Sequence, residues 1–117
     1  MGQRAAKDDL FAAFASVAKA LGNGHRAEII DVLAQGERSV ESLADEIGQS
    51  VANTSHHVRL LANAGLVDSR RDGTFVHYRL AGNRVGQLWS ALRDVAVELV
   101  AEVDVLARRD LGNDGVE

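Results

Sequence analysis

The 117-residue sequence contains no cysteine, no proline and few aromatic residues: one tryptophan, one tyrosine and three phenylalanines. Without cysteine, the chain has no disulfide framework, no thiolate metal site and no thiol nucleophile. No apolar run approaches the roughly 18 residues of a membrane span, and the N-terminal residues lack the apolar core of a signal peptide. We therefore expect a soluble, cytoplasmic protein. Its length allows one domain, or one domain with a tail.

The charges are unevenly distributed along the chain, although the formal net charge is only −4. Residues 50–80 contain four arginines and two aspartates, a net charge of +2, together with three of the four histidines. Residues 94–117 contain seven acidic residues and two arginines, a net charge of −5. An acidic protein with a basic segment can bind nucleic acid, because the field near the contact surface decides the interaction. A solvated surface of uneven charge is the alternative interpretation.

Apolar residues at helical spacing predict three helices outside the centre of the chain. The first covers residues 8–21 and the second covers residues 25–34, with glycines between them. The last helix runs from residue 85 to about residue 108, and its apolar residues step by three or four throughout. We expect residues 109–117 to form a flexible C-terminal tail after a single domain over residues 1–108.

The centre of the chain predicts two short helices joined by a turn. Ser39 and Ser50 are candidate N-caps, and Gly48 is a candidate C-cap of the first helix. The second helix covers residues 51–63. Its inward-facing residues are Thr54, Val58 and Leu61. Two short helices separated by a glycine-containing turn are typical of a helix-turn-helix.

Two strand-like segments follow, residues 66–71 and 75–80, and they flank the sequence Asp72-Gly73-Thr74. An Asp-Gly pair between such segments predicts a β-hairpin. A helix-turn-helix followed by a hairpin predicts a winged helix, a mainly α-helical fold with a β-hairpin wing. Its second helix is narrow enough to enter the DNA major groove, and the hairpin reaches phosphate or the minor groove.

This register predicts a set of outward-facing residues that bind DNA. They are Ser50, Ala52, Asn53, Ser55, His56, Arg59, Arg70, Arg71, Thr74 and Arg79. The side chain of Asn53 can pair with adenine, and those of Ser55 and His56 can bond base edges. The arginines suit phosphate or minor-groove contact, which fixes position rather than sequence.

Several of these side chains also have a purely structural interpretation. Asn53 can serve only the first turn of its helix, and Arg70 and Arg71 can protect a solvated strand edge. His57 lies close to the inner face, so packing is favoured for it over base reading. Val51 either touches a thymine methyl group or belongs to the core.

Three segments resemble a family of bacterial regulators. They are residues 20–30 (ALGNGHRAEII), residues 47–67 with the sequence SHHVRLL followed by AGLV, and residues 71–80 (RDGTFVHYRL). Over about residues 10–106 the chain resembles the ArsR/SmtB family of winged-helix repressors, and in particular the DNA-binding part of ArsR–rhodanese fusions. It departs from the family pattern at Gly24, which stands in place of the usual proline, and in the less polar start of its second central helix.

The resemblance implies a homodimer that pairs its first and last helices, binds double-stranded DNA at an inverted-repeat operator and represses transcription. The apolar stripes of those helices favour the same assembly, because they exceed what a small core can bury. The predicted interface residues are Leu10, Phe14, Val17, Leu88, Leu92, Val95, Leu99 and Val103.

The sequence predicts no metal site and no cofactor. Metal sensors that this chain resembles use cysteine pairs, or histidine and carboxylate ligands on the last helix. Here that helix carries only a row of acidic residues, Asp94, Glu98 and Glu102, which is typical of a solvated face. Three alternatives remain for regulation: repression without a ligand, an unidentified small molecule or partner protein at the dimer interface, or a longer natural chain with its reactive cysteine elsewhere.

A DNA-binding transcriptional regulator is therefore the predicted function. An enzyme is not predicted, because the sequence has no nucleophile–base pair, no glycine-rich phosphate loop and no carboxylate dyad. The remaining alternative is an interaction module that keeps the winged-helix shape without DNA contact. The arginines gathered in residues 50–80 favour DNA binding over that alternative.

Overall fold

The computed structural model describes the backbone of residues 2–115 and the side chains of residues 2–110. The helices are α1 (Gly2–Leu21), α2 (Gly24–Gln35), α3 (Val40–Ile47), α4 (Val51–Asn63) and α5 (Asn83–Gly115). The strands are β1 (Arg38–Ser39), β2 (Val67–Asp72) and β3 (Phe75–Leu80). The chain divides into two compact units, one ending at Gly86 and the other beginning at Gln87. The predicted fold class, a mainly helical winged helix-turn-helix, is confirmed.

The helix-turn-helix is bounded by the predicted caps. The hydroxyl of Ser39 accepts a hydrogen bond from the backbone N–H of Ser42 at 3.2 Å, which starts α3. The hydroxyl of Ser50 accepts from the N–H of Asn53 at 3.0 Å, which starts α4. Between them, Gly48 ends α3 in the left-handed conformation, with φ of 67°. These caps satisfy backbone groups that the helix ends would otherwise leave without partners.

The core of the first unit lies where α2, α3 and α4 meet. Its fully buried side chains are Ile29, Ile30, Leu43, Thr54, Val58 and Leu61. The hydroxyl of Thr54 donates to the carbonyl of Ser50 at 2.8 Å, so this buried polar group has a partner. Leu66 and Val67 are also buried and attach the base of the wing to the same core. Burial of one face of α4 leaves its opposite face in solvent.

The wing is an antiparallel sheet with strand order β1-β3-β2. Asp72 pairs with Phe75, so Gly73 and Thr74 form a two-residue loop. Gly73 has φ of 63°, a conformation that glycine adopts without a steric penalty. Strand β1 was not predicted, because two residues carry no periodicity; its pairing of Arg38 with Tyr78 depends on tertiary contact.

The two terminal helices are longer than predicted. Helix α1 begins at Gly2 rather than at residue 8, and an ion pair of 3.3 Å between Arg4 and Asp8 supports its first turns. Helix α5 extends to Gly115 rather than ending near residue 108. Part of the predicted tail, residues 109–117, therefore has a helical backbone. Residues 116 and 117 lie outside the described residues, and the flexibility of this segment stays a prediction.

Within the part of the chain that the structure describes, no helix combines the length and the apolar character that crossing a bilayer requires.

The left-handed cap of α3 predicts a stability difference between two glycine substitutions. Gly48→Ala should lower the free energy of unfolding by about 1 kcal/mol, because an L-residue is disfavoured at this φ. The control is Gly82→Ala, since Gly82 has equally open space for a Cβ but no left-handed φ; it should change stability by less than about 0.5 kcal/mol. Urea denaturation of both variants measures the difference. Equal losses would show that the backbone conformation of Gly48 is not the cause.

Candidate nucleic-acid interface

Helix α4 presents one continuous exposed face. Ser50, Ala52, Asn53, His56 and Arg59 are exposed, and Ser55 is half-buried. The face lies opposite the buried side chains of Thr54, Val58 and Leu61. The predicted outward-facing residues of α4 are therefore placed together on one side of the helix. Small and polar side chains of this kind allow close approach to base edges.

The structural alternatives for Asn53 and Val51 on α4 differ in what the side chains contact. The contact of Asn53 with the first turn is made by its backbone N–H to Ser50, and its side chain lies exposed. Val51 is 46% exposed, so the core interpretation of that residue is wrong. The outer edge of α4 thus offers both an amide and an apolar group to solvent.

A cleft of about 550 Å³ separates α4 from the wing. It is lined by Ser55 and Arg59 from α4 and by Ser69 and Tyr78 from the wing, among others. Hydroxyl groups on both sides and the guanidinium group of Arg59 on the α4 side can donate to phosphate oxygens, whereas the carboxylate of Asp68 in the same lining repels them. Sequence reasoning missed Ser69 and Tyr78, although Tyr78 falls in the segment that carries the family resemblance.

The wing residues predicted to bind DNA are all exposed: Arg70, Arg71, Thr74 and Arg79. Thr74 lies in the loop at the tip, and β2, which carries Arg70 and Arg71, is an edge strand. The edge-protection interpretation of the two arginines therefore stays open. Phe75, beside the loop, is 62% exposed and was not predicted; an exposed aromatic side chain at a wing tip suits apolar contact in the minor groove.

Arg70 differs from the other wing arginines in its surroundings. Its Nε donates to Oε1 of Glu37 at 2.8 Å, and a second guanidinium nitrogen lies 3.9 Å from a carboxylate oxygen of Asp72. Glu37 is 33 residues away in the sequence, so no local sequence pattern predicts this ion pair. The predicted DNA contact at Arg70 thus competes with an existing ion pair.

His57 is half-buried and lies against Arg26 of α2. A guanidinium nitrogen of Arg26 lies 3.3 Å from Nδ1 of His57, and the same side chain donates to the carbonyls of Ala20 at 2.6 Å and Lys19 at 3.3 Å. Arg26 therefore joins the end of α1 to α4. The packing interpretation of His57 agrees with this arrangement.

The pKa of His57 lies below its ordinary value of 6.5. Burial is the largest cause, and the positive charge of Arg26 and the neighbouring rings of His25 and His56 act in the same direction. The ring centroids of His25 and His56 lie 5.6 Å and 5.7 Å from that of His57. Neutral His57 can accept a hydrogen bond from Arg26, whereas protonated His57 would be repelled by it.

Helices α1 and α5 each carry exposed apolar side chains. On α1 these include Leu10 at 52% and Phe14 at 55% exposed, while Val17 is half-buried. On α5 the predicted interface residues are all exposed. They are Leu88, Leu92, Val95, Leu99 and Val103. Exposed apolar surface of this extent is typical of a protein–protein interface.

Among the described residues, no group of three or more histidine, cysteine, aspartate or glutamate side chains is arranged to hold a metal ion.

Comparison with known proteins places this geometry in a family. Residues 23–69 match the family model described as bacterial regulatory protein, arsR family. The solution structure of a homodimeric winged helix-turn-helix DNA-binding domain (fragment 1–100 of Mb0332) from Mycobacterium bovis, a possible ArsR-family transcriptional regulator, is 43% identical. It superposes with a TM-score of 0.75 and covers 79% of this chain and 85% of that one. The chain belongs to the ArsR family of bacterial regulators.

Two further proteins are similar to this ArsR-family chain. The HTH-type transcriptional regulator Rv0324 of Mycobacterium tuberculosis is 43% identical over 96% of this chain, and the chain spans 50% of its length. The crystal structure of the transcriptional repressor BigR from Xylella fastidiosa is 28% identical, with a TM-score of 0.68, and the match covers 79% of this chain and 94% of that one. The chain thus spans about half the length of a curated relative that it matches.

The Arg26–His57 contact predicts an acid-dependent loss of stability in this ArsR-family chain. Well above pH 6.5 His57 is neutral in both folded and unfolded chains, so its contribution is fully present. As the pH falls below 6.5, the unfolded chain binds a proton that folded His57 resists, and the free energy of unfolding decreases. Urea denaturation between about pH 7.5 and about pH 5 should show this decrease.

The variant His57→Asn should flatten this pH dependence, because asparagine keeps a hydrogen-bond acceptor for Arg26 but does not titrate. His77→Asn, a matched change on β3, keeps the Arg26–His57 contact and should follow the wild-type profile. If His57→Asn loses stability with acid as steeply as the wild type, the contact is not the source of the effect.

Proposed function

We propose that this ArsR-family chain is a sequence-specific regulator that binds double-stranded DNA as a homodimer and represses transcription. The observation that carries the proposal is the exposed face of α4, whose small and polar residues stand beside an arginine-bearing wing. Burial of the opposite face means that α4 can enter the major groove without disturbing the core. Asn53, Ser55 and His56 would read base edges, and Ala52 would allow close approach.

Electrostatics supports the same surface as the site of phosphate contact. Arg59 projects from α4, and Arg71 and Arg79 project from the wing, all exposed. The whole chain has a net charge of −4, so a nucleic acid would be repelled from most of the surface and attracted here. Such contacts position the protein and make its affinity salt-dependent.

The proposed homodimer accounts for the exposed apolar residues of α1 and α5. Burial of the predicted stripe, which includes Leu92 and Leu99, would remove apolar surface that a monomer leaves in water. Two-fold symmetry would then present two copies of α4, and the operator would be an inverted repeat with half-sites about one helical turn apart. The M. bovis domain that this chain resembles is homodimeric, and BigR is a repressor.

An interaction module without DNA contact is the second candidate function. It is favoured only by the alternative reading of Arg70 and Arg71 as protection for the edge strand β2. Fluorescence anisotropy with a duplex from the DNA upstream of the gene, and with a scrambled duplex, decides between the two. Tighter binding to the upstream duplex supports a specific regulator. Equal binding to both would not support it, and no binding to either would favour the interaction module.

Two substitutions should separate phosphate contact from base reading. Arg59→Ala should weaken binding to every duplex and lower the slope of log affinity against log salt by about one unit. Asn53→Ala should cost about 1–3 kcal/mol on the preferred site and little on a scrambled one. Arg108→Ala, which removes an arginine outside the proposed interface, is the control. Equal effects of the first two variants on all sequences would contradict the base-reading role of Asn53.

The proposed dimer interface predicts opposite outcomes for two substitutions on α5. Leu99→Asp should shift the dimer to monomer, because it places a charge in the apolar stripe. Ala101→Asp introduces the same charge about 200° further around the helix and should leave the dimer intact. Light scattering after size-exclusion chromatography measures both masses. A dimer of undiminished stability in Leu99→Asp would place the interface elsewhere.

A further inference from the structure

The two faces of the wing differ in their neighbours. Successive side chains of a strand point to opposite faces, so Ser69 and Arg71 share one face of β2 and Arg70 lies on the other. Ser69 and its register partner Tyr78 line the cleft beside α4, together with Arg59. Arg71 therefore lies on the face of β2 that carries Ser69, whereas Arg70 lies on the opposite face.

An ion pair connects Arg70 on the wing to the segment before β1. Arg70 belongs to β2, and Glu37, its 2.8 Å partner, directly precedes β1. Because the strand order is β1-β3-β2, this ion pair reaches across β3 and joins the two edges of the sheet. It thus links the outer strand of the wing to the segment that follows α2.

The charge of Arg70 is already compensated where the structure describes it. Glu37 and Asp72 both lie near its guanidinium group, and reaching a DNA phosphate would require Arg70 to leave a hydrogen-bonded carboxylate. No ion pair to Arg59 or Arg71 occurs within residues 2–110. Arg70 and Arg71 are adjacent on the same strand, yet among the described residues only the charge of Arg70 is compensated by nearby carboxylates.

We propose that Arg70 is a positioning residue rather than a phosphate contact, and that its ion pair with Glu37 holds the wing where Arg71 can reach the DNA backbone. This inference rests on the proposed DNA-binding function. The pair is partly exposed, at 44% for Arg70 and 32% for Glu37, so its loss should weaken DNA binding only roughly two- to fivefold.

Salt dependence separates positioning from phosphate contact. Anisotropy of a labelled mixed-sequence duplex is measured over a salt series with the full chain and its variants. Arg71→Ala should lower the slope of log affinity against log salt by about one unit, because one phosphate contact is lost. Arg70→Ala should weaken binding and leave the wild-type slope. A slope lowered by about one unit in Arg70→Ala would overturn the proposal.

A charge exchange tests the pair without changing the net charge. Arg70→Glu alone should weaken binding, because it places a third carboxylate beside those of Glu37 and Asp72. The double variant Glu37→Arg with Arg70→Glu restores an ion pair of reversed polarity and should recover affinity to within roughly twofold of the wild type. If Arg70 contacts phosphate, the double variant keeps a carboxylate at that contact. Binding as weak as that of Arg70→Glu alone would therefore overturn the proposal.

A measurement without DNA distinguishes failure of this inference from failure of the proposed function. Amide hydrogen exchange in residues 67–80 should be faster in Arg70→Ala and Glu37→Gln than in the wild type, and unchanged in Arg71→Ala. Unchanged exchange in the first two variants would show that the pair does not position the wing. A wild-type chain that binds no duplex would instead contradict the proposed function, whatever the exchange result.

Discussion

The burial of Thr54, Val58 and Leu61 against α2 and α3 is the constraint on which the rest of this surface depends. Because an α-helix repeats every 3.6 residues, fixing these three side chains inward fixes which residues of α4 face outward. The cap at Ser50 then sets where the helix begins, since its hydroxyl accepts from the N–H of Asn53. The side-chain amide of Asn53 and the guanidinium group of Arg59 are therefore positioned by the packing and capping of α4 rather than by contacts of their own.

Arg26 connects this arrangement to the helix proposed for dimerisation. Its guanidinium group bonds the carbonyls of Ala20 and Lys19 at the end of α1 and also meets Nδ1 of His57 on α4. A helix C-terminus carries partial negative charge, so a cation is well placed there. Burial, and after it the charge of this cation, lowers the pKa of His57 and favours its neutral form. One side chain thus stabilises the end of α1 and the inward packing of α4 together.

Local signals in the sequence were sufficient for the helix-turn-helix. Ser39, Gly48 and Ser50 mark the ends of α3 and α4, because caps act over three or four residues. The hairpin followed from Asp72-Gly73 for the same reason. Strand β1 and the pair between Glu37 and Arg70 could not be predicted, since each depends on residues brought together across more than 30 positions. The position of Tyr78 beside α4 was not predicted for the same reason, because it follows from the register of the sheet.

The arrangement of the wing also changes how the charge of the central segment should be interpreted. The net charge of +2 over residues 50–80 treats all four arginines as equivalent. Strand alternation makes them unequal, because Arg71 shares a face with Ser69 and Tyr78 and Arg70 does not. Glu37 lies outside that segment yet compensates Arg70 at 2.8 Å. The positive field on the face that carries Ser69 and Tyr78 therefore comes from Arg59 and Arg71, whereas Arg79 lies on the face of Arg70 as the register partner of Asp68. The strength of that field depends on how firmly the compensated arginine holds the wing beside α4.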